Sequence, residues 1–314
     1  MISKASAPGK VILFGEHFVV YGKKAILASI DKRVTVISEK KSENIISVKS
    51  NLGQLIKPVT EPINKINSPL KPFFYIAKEM VKKFNFEGGI NIVVESDIPS
   101  GVGLGSSSAC CVAGAASISN LFTKLSKEDI IDLAIKAEQT IFKDTSGADC
   151  TVCTHGGIIE YDKQKGFKKI NSESELTLVI ANSGQIHSTS VTVSKVKKFK
   201  EKNEEKFSAL CEKEDLLVEN IKKSLVKNDL MAIGKSMTEN QNYLEEIGIS
   251  NDKIRKMITL AGNSAYGAKI TGAGDGGCII ALVDATNLDD TLKNLQMKNY
   301  ECFSVKIDSK GLDT

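Results

Sequence analysis

Apolar positions along this chain fall into two alternating textures. KVILF, from Lys10 to Phe14, is a short continuous apolar run, while RVTVISEK near Val34 and NIISVKS near Ile46 alternate apolar and polar at period two. Three strands are predicted at the start. Asn51 to Pro72 holds one glycine and four prolines in a polar context, which predicts an irregular loop leading to a helix with Phe73, Ala77, Met80 and Phe84 on one stripe. NIVVES (Asn91 to Ser96) reads as a strand, DIPSGVGLG as a glycine-rich loop, and Ser106 to about Phe122 as a small-residue apolar helix. S-K-E-D at Ser126 resembles a capping box opening a helix that turns Ile130, Ile131, Ala134, Ala137 and Ile141 inward and ends near Lys143.

From Leu176 a second unit begins. Strand LTLVIA, three helical stretches between about Val191 and Ala265, strand AKIT, a glycine loop, strand CIIALV, a short helix and CFSVKI follow in order. Strands and helices mixed without strict βαβ alternation predict an α+β chain of two domains, 1–175 and 176–314. A length of 314 residues agrees with two domains of about 100 to 200 residues each.

Composition removes several function classes. Net charge is +4, and the lysines of KVKKFKEKNEEK (Lys195 to Lys206) alternate with acids, as on a solvated helix face. With no Trp and 6% aromatic residues there is no stacking platform, so nucleic acid is not an expected partner. No apolar run approaches the ~20 residues of a membrane span, and Met1 to Ala7 lacks the order of a secretory signal, so a mature cytoplasmic protein is expected. Seven cysteines, two of them adjacent (Cys110, Cys111), suit reduced thiols. The C-x-x-C of Cys150 and Cys153 lacks a second pair and reads as buried thiols.

Candidate chemistry gathers at three glycine-rich segments. Pro99, Ser100, Gly101, Val102, Gly103, Leu104, Gly105, Ser106, Ser107 and Ser108 lie between a strand and a helix, where free N–H groups and the helix dipole favour a phosphate. The dinucleotide and Walker patterns both fail on this spacing, and a tight turn with a serine cap is the plainer alternative. A-P-G-K-V-I-L-F-G-E-H-F-V-V-Y-G (Ala7 to Gly22) sets Lys10, Glu16 and His17 around one strand; singly, each reads as a surface or turn residue. Glu138 falls on the apolar stripe of its helix, so its carboxylate points inward toward a metal ion, a salt bridge or a hydrogen bond. Asp149 follows in T-S-G-A-D, as a second carboxylate of the cleft or as a turn residue. T-G-A-G-D-G-G-C (Thr271 to Cys278) joins two strands with more glycine than a hairpin requires.

In this order the three segments resemble the GHMP kinases, the galacto-, homoserine, mevalonate and phosphomevalonate kinases, over the whole chain. Within that family Ala7 to Gly22 looks like the mevalonate branch. The resemblance implies a GHMP kinase fold: an N-terminal domain with a left-handed βαβ unit, a ferredoxin-like C-terminal domain, and ATP between them. It further implies that Pro99 to Ser108 wrap the ATP phosphates, that Ser107 and Glu138 hold Mg²⁺, and that Asp149 is the catalytic carboxylate beside Lys10. Glu16, His17, Thr189 and Ala273 correspond to positions of the substrate region. The implied reaction is ATP-dependent phosphorylation of mevalonate, with another acceptor of the family (phosphomevalonate or a sugar) and a silent ATP sensor as rivals; a homodimer is left open. Two positions depart from the family pattern. His187 precedes Thr189 where an arginine is common, and Asp275 stands where glycine is usual, a charge that needs pairing or turning away.

Overall fold

The computed structural model describes residues 1–99, 101–143, 145–171, 176–185 and 189–314. Two sheets organise it. The first is built on β2 (Ala25–Lys41), whose one edge pairs along β1 (Ile2–Phe14), antiparallel, and whose other edge pairs with β5 (Gly89–Ser96) and β6 (Ile158–Asp162). β3 (Ile45–Ser50), β4 (Gly53–Pro58) and β7 (Gly166–Ile170) complete seven strands in the order β4-β3-β5-β2-β6-β7 with β1 beside β2. β3 and β5 are parallel, with β4 and α1 (Lys71–Lys83) between them in the chain.

Helix α2 (Ser106–Ser119) fills the centre of this half. Its residues are small and apolar on every side, and a helix without a polar face must be enclosed. It lies against β1, β2, α1, α3 (Lys127–Glu138) and α4 (Ala148–His155), buried from Ser108 onward except for Cys110.

The second sheet has the order β11-β8-β10-β9, all antiparallel, from β8 (Thr177–Asn182), β9 (Gly267–Thr271), β10 (Cys278–Val283) and β11 (Glu301–Lys306). Helices α5 (Thr189–Lys202), α6 (Glu204–Lys227), α7 (Leu230–Glu246) and α8 (Asp252–Gly262) separate β8 from β9, and α9 (Leu288–Gln296) separates β10 from β11. Numbered within the unit, that is strand order 4-1-3-2 with helices after the first and third strands: the ferredoxin-like arrangement.

Five details differ from the sequence reading. The proline-rich stretch contains β4, an edge strand in which only Leu55 is buried, so its alternation is too weak to register. β6 and β7 were not anticipated. Helix α3 stops at Glu138 instead of near Lys143, and Ile141 and Phe142 follow in a turn with Phe142 exposed. Four helices replace the expected three, because Asn203 alone separates α5 from α6 within one continuously polar stretch. Phe84 lies just past α1, part exposed, and stacks on Phe122 at 5.2 Å.

The halves are stitched at several points. Thr271 exchanges hydrogen bonds with the Ile12 backbone, its Oγ1 accepting from N at 2.9 Å and donating to O at 3.1 Å. Arg33 pairs with Asp308 and donates to the Gly311 carbonyl at 2.7 Å, which binds the C-terminal tail to β2.

Candidate active site

In the first glycine loop the alternation G-V-G-L-G has a direct structural result. Val102 and Leu104 are buried and anchor the loop, while Gly101 and Gly103 are exposed with φ of 75° and 83°. The backbone therefore faces outward. Helix α2 starts at Ser106 with Gly105 as its N-cap residue in the left-handed region, and no side chain caps it. The serine cap weighed from sequence is absent, so the first N–H groups of α2 remain for an anion. Gly105 is also required sterically: a Cβ there would lie 2.6 Å from Lys10 Cγ.

That contact carries the loop to β1. Lys10 N–H donates to the Leu104 carbonyl at 2.9 Å, and the Lys10 side chain runs past Gly105 to place Nζ 3.1 Å from Asp149 Oδ2. Asp149 sits in the first turn of α4, whose N-cap residue Gly147 has φ +80° and offers no side-chain cap. A carboxylate is favoured there by the helix dipole. The lysine side chain is 6% exposed and the aspartate 34%, so the pair has a sealed cation and an accessible carboxylate.

Glu138, at the last residue of α3, points inward as its stripe position requires and is 4% exposed. Its Oε1 accepts from Ser108 Oγ at 2.6 Å and its Oε2 from Thr145 Oγ1 at 2.7 Å, with the Cys150 thiol at 3.7 Å. Thr145 belongs to the T-S-G-A-D motif, so the interval between Glu138 and Asp149 is closed by a hydrogen bond. Ser108, not Ser107, meets the carboxylate; Ser107 lies half-buried in the same turn. Among the described residues no Lys or Arg forms an ion pair with Glu138, and no group of three metal-binding side chains occurs. A buried carboxylate held only by neutral donors, beside a serine hydroxyl, is a hard-oxygen set that fits Mg²⁺, which commonly takes one or two carboxylates and completes its shell with water and phosphate. The nearby thiols are inert: burial pushes Cys150 and Cys153 well above their ordinary value.

Just past the C-terminal end of β1 the chain meets the third glycine loop. His17 Nε2–H donates to the Ala273 carbonyl at 2.7 Å, and burial lowers the imidazole's pKa, so the ring is neutral with its proton on Nε2. The Thr271–Cys278 loop connects antiparallel β9 and β10, with the Asp275 N–H bonded to the Ile249 carbonyl at 2.7 Å. It is both a hairpin turn and a close approach to another loop. Asp275, at φ +58°, is paired with Lys195 at 2.7 Å, which neutralises the charge that its position made awkward. Glu16 is sealed inside and pairs with Lys269 of β9; burial raises its pKa against that ion pair. Thr189 opens α5 and is exposed. Ser100 and His187 lie outside the described residues.

Sequence reasoning passed over Lys269 and Glu214. Lys269 is the one charged residue in a strand buried at every position, and Glu214 lies on the stripe Phe207, Leu210, Leu217, Ile221 of α6. The periodicity argument that singled out Glu138 applies equally to Glu214.

Comparisons with known proteins agree with this geometry. The model of the GHMP kinases N terminal domain matches residues 72–157 and that of the GHMP kinases C terminal matches 221–300. A mevalonate kinase of Pyrococcus furiosus is 36% identical over 88% of this chain and 88% of its own length. The crystal structure of the Methanococcus jannaschii mevalonate kinase superposes with TM-score 0.85 at 30% identity, covering 98% of both chains. That of L. major mevalonate kinase in complex with R-mevalonate gives 0.83 at 26%, covering 98% of this chain and 96% of that one. With both family models matched in order around a lysine–aspartate pair and an uncapped glycine loop, the chain belongs to the GHMP kinase family.

Proposed function

We propose that this chain is a mevalonate kinase, transferring the γ-phosphoryl group of ATP to the primary hydroxyl of mevalonate to give 5-phosphomevalonate and ADP. The observation that carries the reading is the Lys10–Asp149 pair, 3.1 Å apart and bonded through Lys10 to the glycine loop. Relatives named mevalonate kinase over most of the chain support the acceptor.

Phosphoryl transfer asks a protein mainly to position groups and stabilise charge. Backbone N–H groups of Gly101 to Ser108 and the α2 N-terminus hold the phosphates. Asp149, the accessible member of its pair, takes the proton from the acceptor hydroxyl. Lys10 lowers that hydroxyl's pKa and screens the aspartate from the incoming phosphate. A positioned base of this kind contributes about 10² to 10⁴ in rate. Ser107 and Glu138 would hold Mg²⁺, whose contribution when bound would be to neutralise phosphate charge. His17, Ala273 and Thr189 line the acceptor side, with Glu16 behind them. The two domains, 1–175 and 176–314, meet at this cleft, and the enzyme works in the cytoplasm; among the described residues no helix is long and apolar enough to cross a membrane.

Steady-state ADP release is the test, with mevalonate, phosphomevalonate, galactose and homoserine offered in turn. Turnover with mevalonate alone is expected. Preference for another acceptor would replace the substrate assignment, and ATP binding without turnover on any of them would indicate a sensor.

A further inference from the structure

Glu214 takes no part in the chemistry above, yet it is fully buried on the inner stripe of α6. Its Oε2 accepts from Asn240 Nδ2 at 2.6 Å, and the Gly15 backbone N–H faces the same carboxyl. Gly15 immediately precedes Glu16. Glu16 Oε1 is bound by Lys269 Nζ, which also donates to the Ile270 carbonyl at 2.6 Å. Three buried oxygens then stand without a partner: Glu16 Oε2, Glu214 Oε1 and Asn240 Oδ1.

All three atoms are acceptors as long as both acids are ionised, so the cluster is short of a donor. It is also short of positive charge. Lys269 is one ammonium against two buried carboxyls, and leaving a carboxylate buried and unpaired is costly. One proton removes the extra charge and turns one of the three acceptors into a donor for another. Glu16 is the partner in the ion pair, and Glu214 Oε2 already accepts from Asn240, which leaves Glu214 Oε1 as the oxygen to carry it. We propose that Glu214 is a positioning residue: a neutral carboxylic acid, protonated on Oε1, whose proton supplies the missing donor and fixes the Gly15–His17 turn as one wall of the acceptor pocket.

The proposal rests on the acceptor-site reading above. It is supported by the environment of Glu214, where burial first and then the negative charge of Glu16 push its carboxyl up to about 8. The groups facing it are Glu16 from the turn after β1, Lys269 from β9, Asn240 and Tyr243 from α7, and Cys211 from its own helix, with Lys10 acting on Glu16 from β1. A raised folded value means that the folded chain holds this proton between about pH 4.5 and 8 while the unfolded chain does not, so stability declines as pH rises through that window. Above it the donor is lost and a second charge appears beside Glu16.

Glu214→Gln tests this, because the amide keeps the shape, keeps one donor and one acceptor, and does not titrate. In the unmodified enzyme KM for mevalonate should rise about tenfold between pH 7 and 9, since only about a tenth of the molecules stay competent one unit above the titration. KM for ATP should stay level. In Glu214→Gln, KM for mevalonate should be flat over the same range, and Tm should match the unmodified protein near pH 4.5 and exceed it by a margin that grows from there to pH 8. A KM rise shared by both proteins, or a Glu214→Gln variant that unfolds or melts well below the unmodified protein at pH 7, would overturn the proposal, the second by showing that the ionised carboxylate is needed. An unmodified enzyme that does not turn over mevalonate defeats the substrate reading instead, and the melting comparison still reports where the proton sits.

Discussion

Lys10–Asp149 and Lys269–Glu16 are the same chemical pair placed in two different environments. In the first, the carboxylate is 34% exposed at the mouth of a glycine loop; in the second, neither side chain has any exposed surface. The open pair leaves a carboxylate oxygen that a substrate can reach, and the helix dipole of α4 stabilises its charge at little cost. The closed pair can reach nothing, and burial works against the Glu16 charge that Lys269 supports. Solvent access, more than residue type, separates chemistry from architecture here. Lys10 lies within β1 and Glu16 just past its C-terminal end, so one strand ties a reactive site to a structural clamp.

Asp149→Asn breaks the comparison at its reactive end. Asparagine keeps the shape and loses the basic oxygen, so kcat and kcat/KM with mevalonate should both fall by about 10² to 10⁴. Nucleotide binding and Tm should hold. A well-folded Asp149→Asn enzyme with near-normal turnover would remove the base from the mechanism and leave Lys10 to be tested.

Lys269→Met breaks it at the other end, with the sign of the effect moved from rate to stability. The substitution strands Glu16 in the interior, and breaking a buried pair from one side costs about 3 to 5 kcal/mol. Urea denaturation at neutral pH measures this. Adding Glu16→Gln to the same chain should recover most of the loss, because the uncompensated charge is then gone. A single variant that loses less than about 1 kcal/mol, the range of exposed pairs, would mean that the clamp is not sealed in solution.

The sequence made the open pair more legible than the closed one, for a physical reason. Lys10 follows Gly9 and Asp149 lies two residues after Gly147, and glycines in such segments mark backbone that must approach a ligand or turn sharply. Glu138 was visible because a carboxylate interrupts an apolar helical stripe. Lys269 and Glu214 interrupt buried elements in the same manner, but their meaning depends on which distant acid or amide they meet, and the spacings from Glu16 to Lys269 and from Glu214 to Asn240 carry no periodic signal. In the fold, strongly alternating strands and long stripes were readable. β4 was not, since an edge strand with one buried residue has little pattern to show, and neither was the break at Asn203 inside a continuously charged stretch.

Lys195–Asp275 extends the comparison to a third and more exposed lysine–carboxylate pair, 47% and 27% exposed, and the smallest effect is expected here. Exposed pairs contribute about 0.2 to 1 kcal/mol and are screened by salt. Asp275 also carries φ +58°, a conformation that costs most side chains energy and that glycine adopts freely. The two contributions oppose each other on substitution. Asp275→Gly loses the pair but relieves the backbone, so its stability should stay within about 0.5 kcal/mol of the unmodified protein. Asp275→Ala loses the pair and keeps the strain, and should be about 1 kcal/mol less stable than Asp275→Gly. Measuring both variants at low and high salt separates the causes, because the pair fades with ionic strength whereas the backbone difference between Gly and Ala does not. Equal stabilities for the two variants would show that the loop relaxes away from the left-handed conformation, and Lys195 would then hold the loop by charge alone.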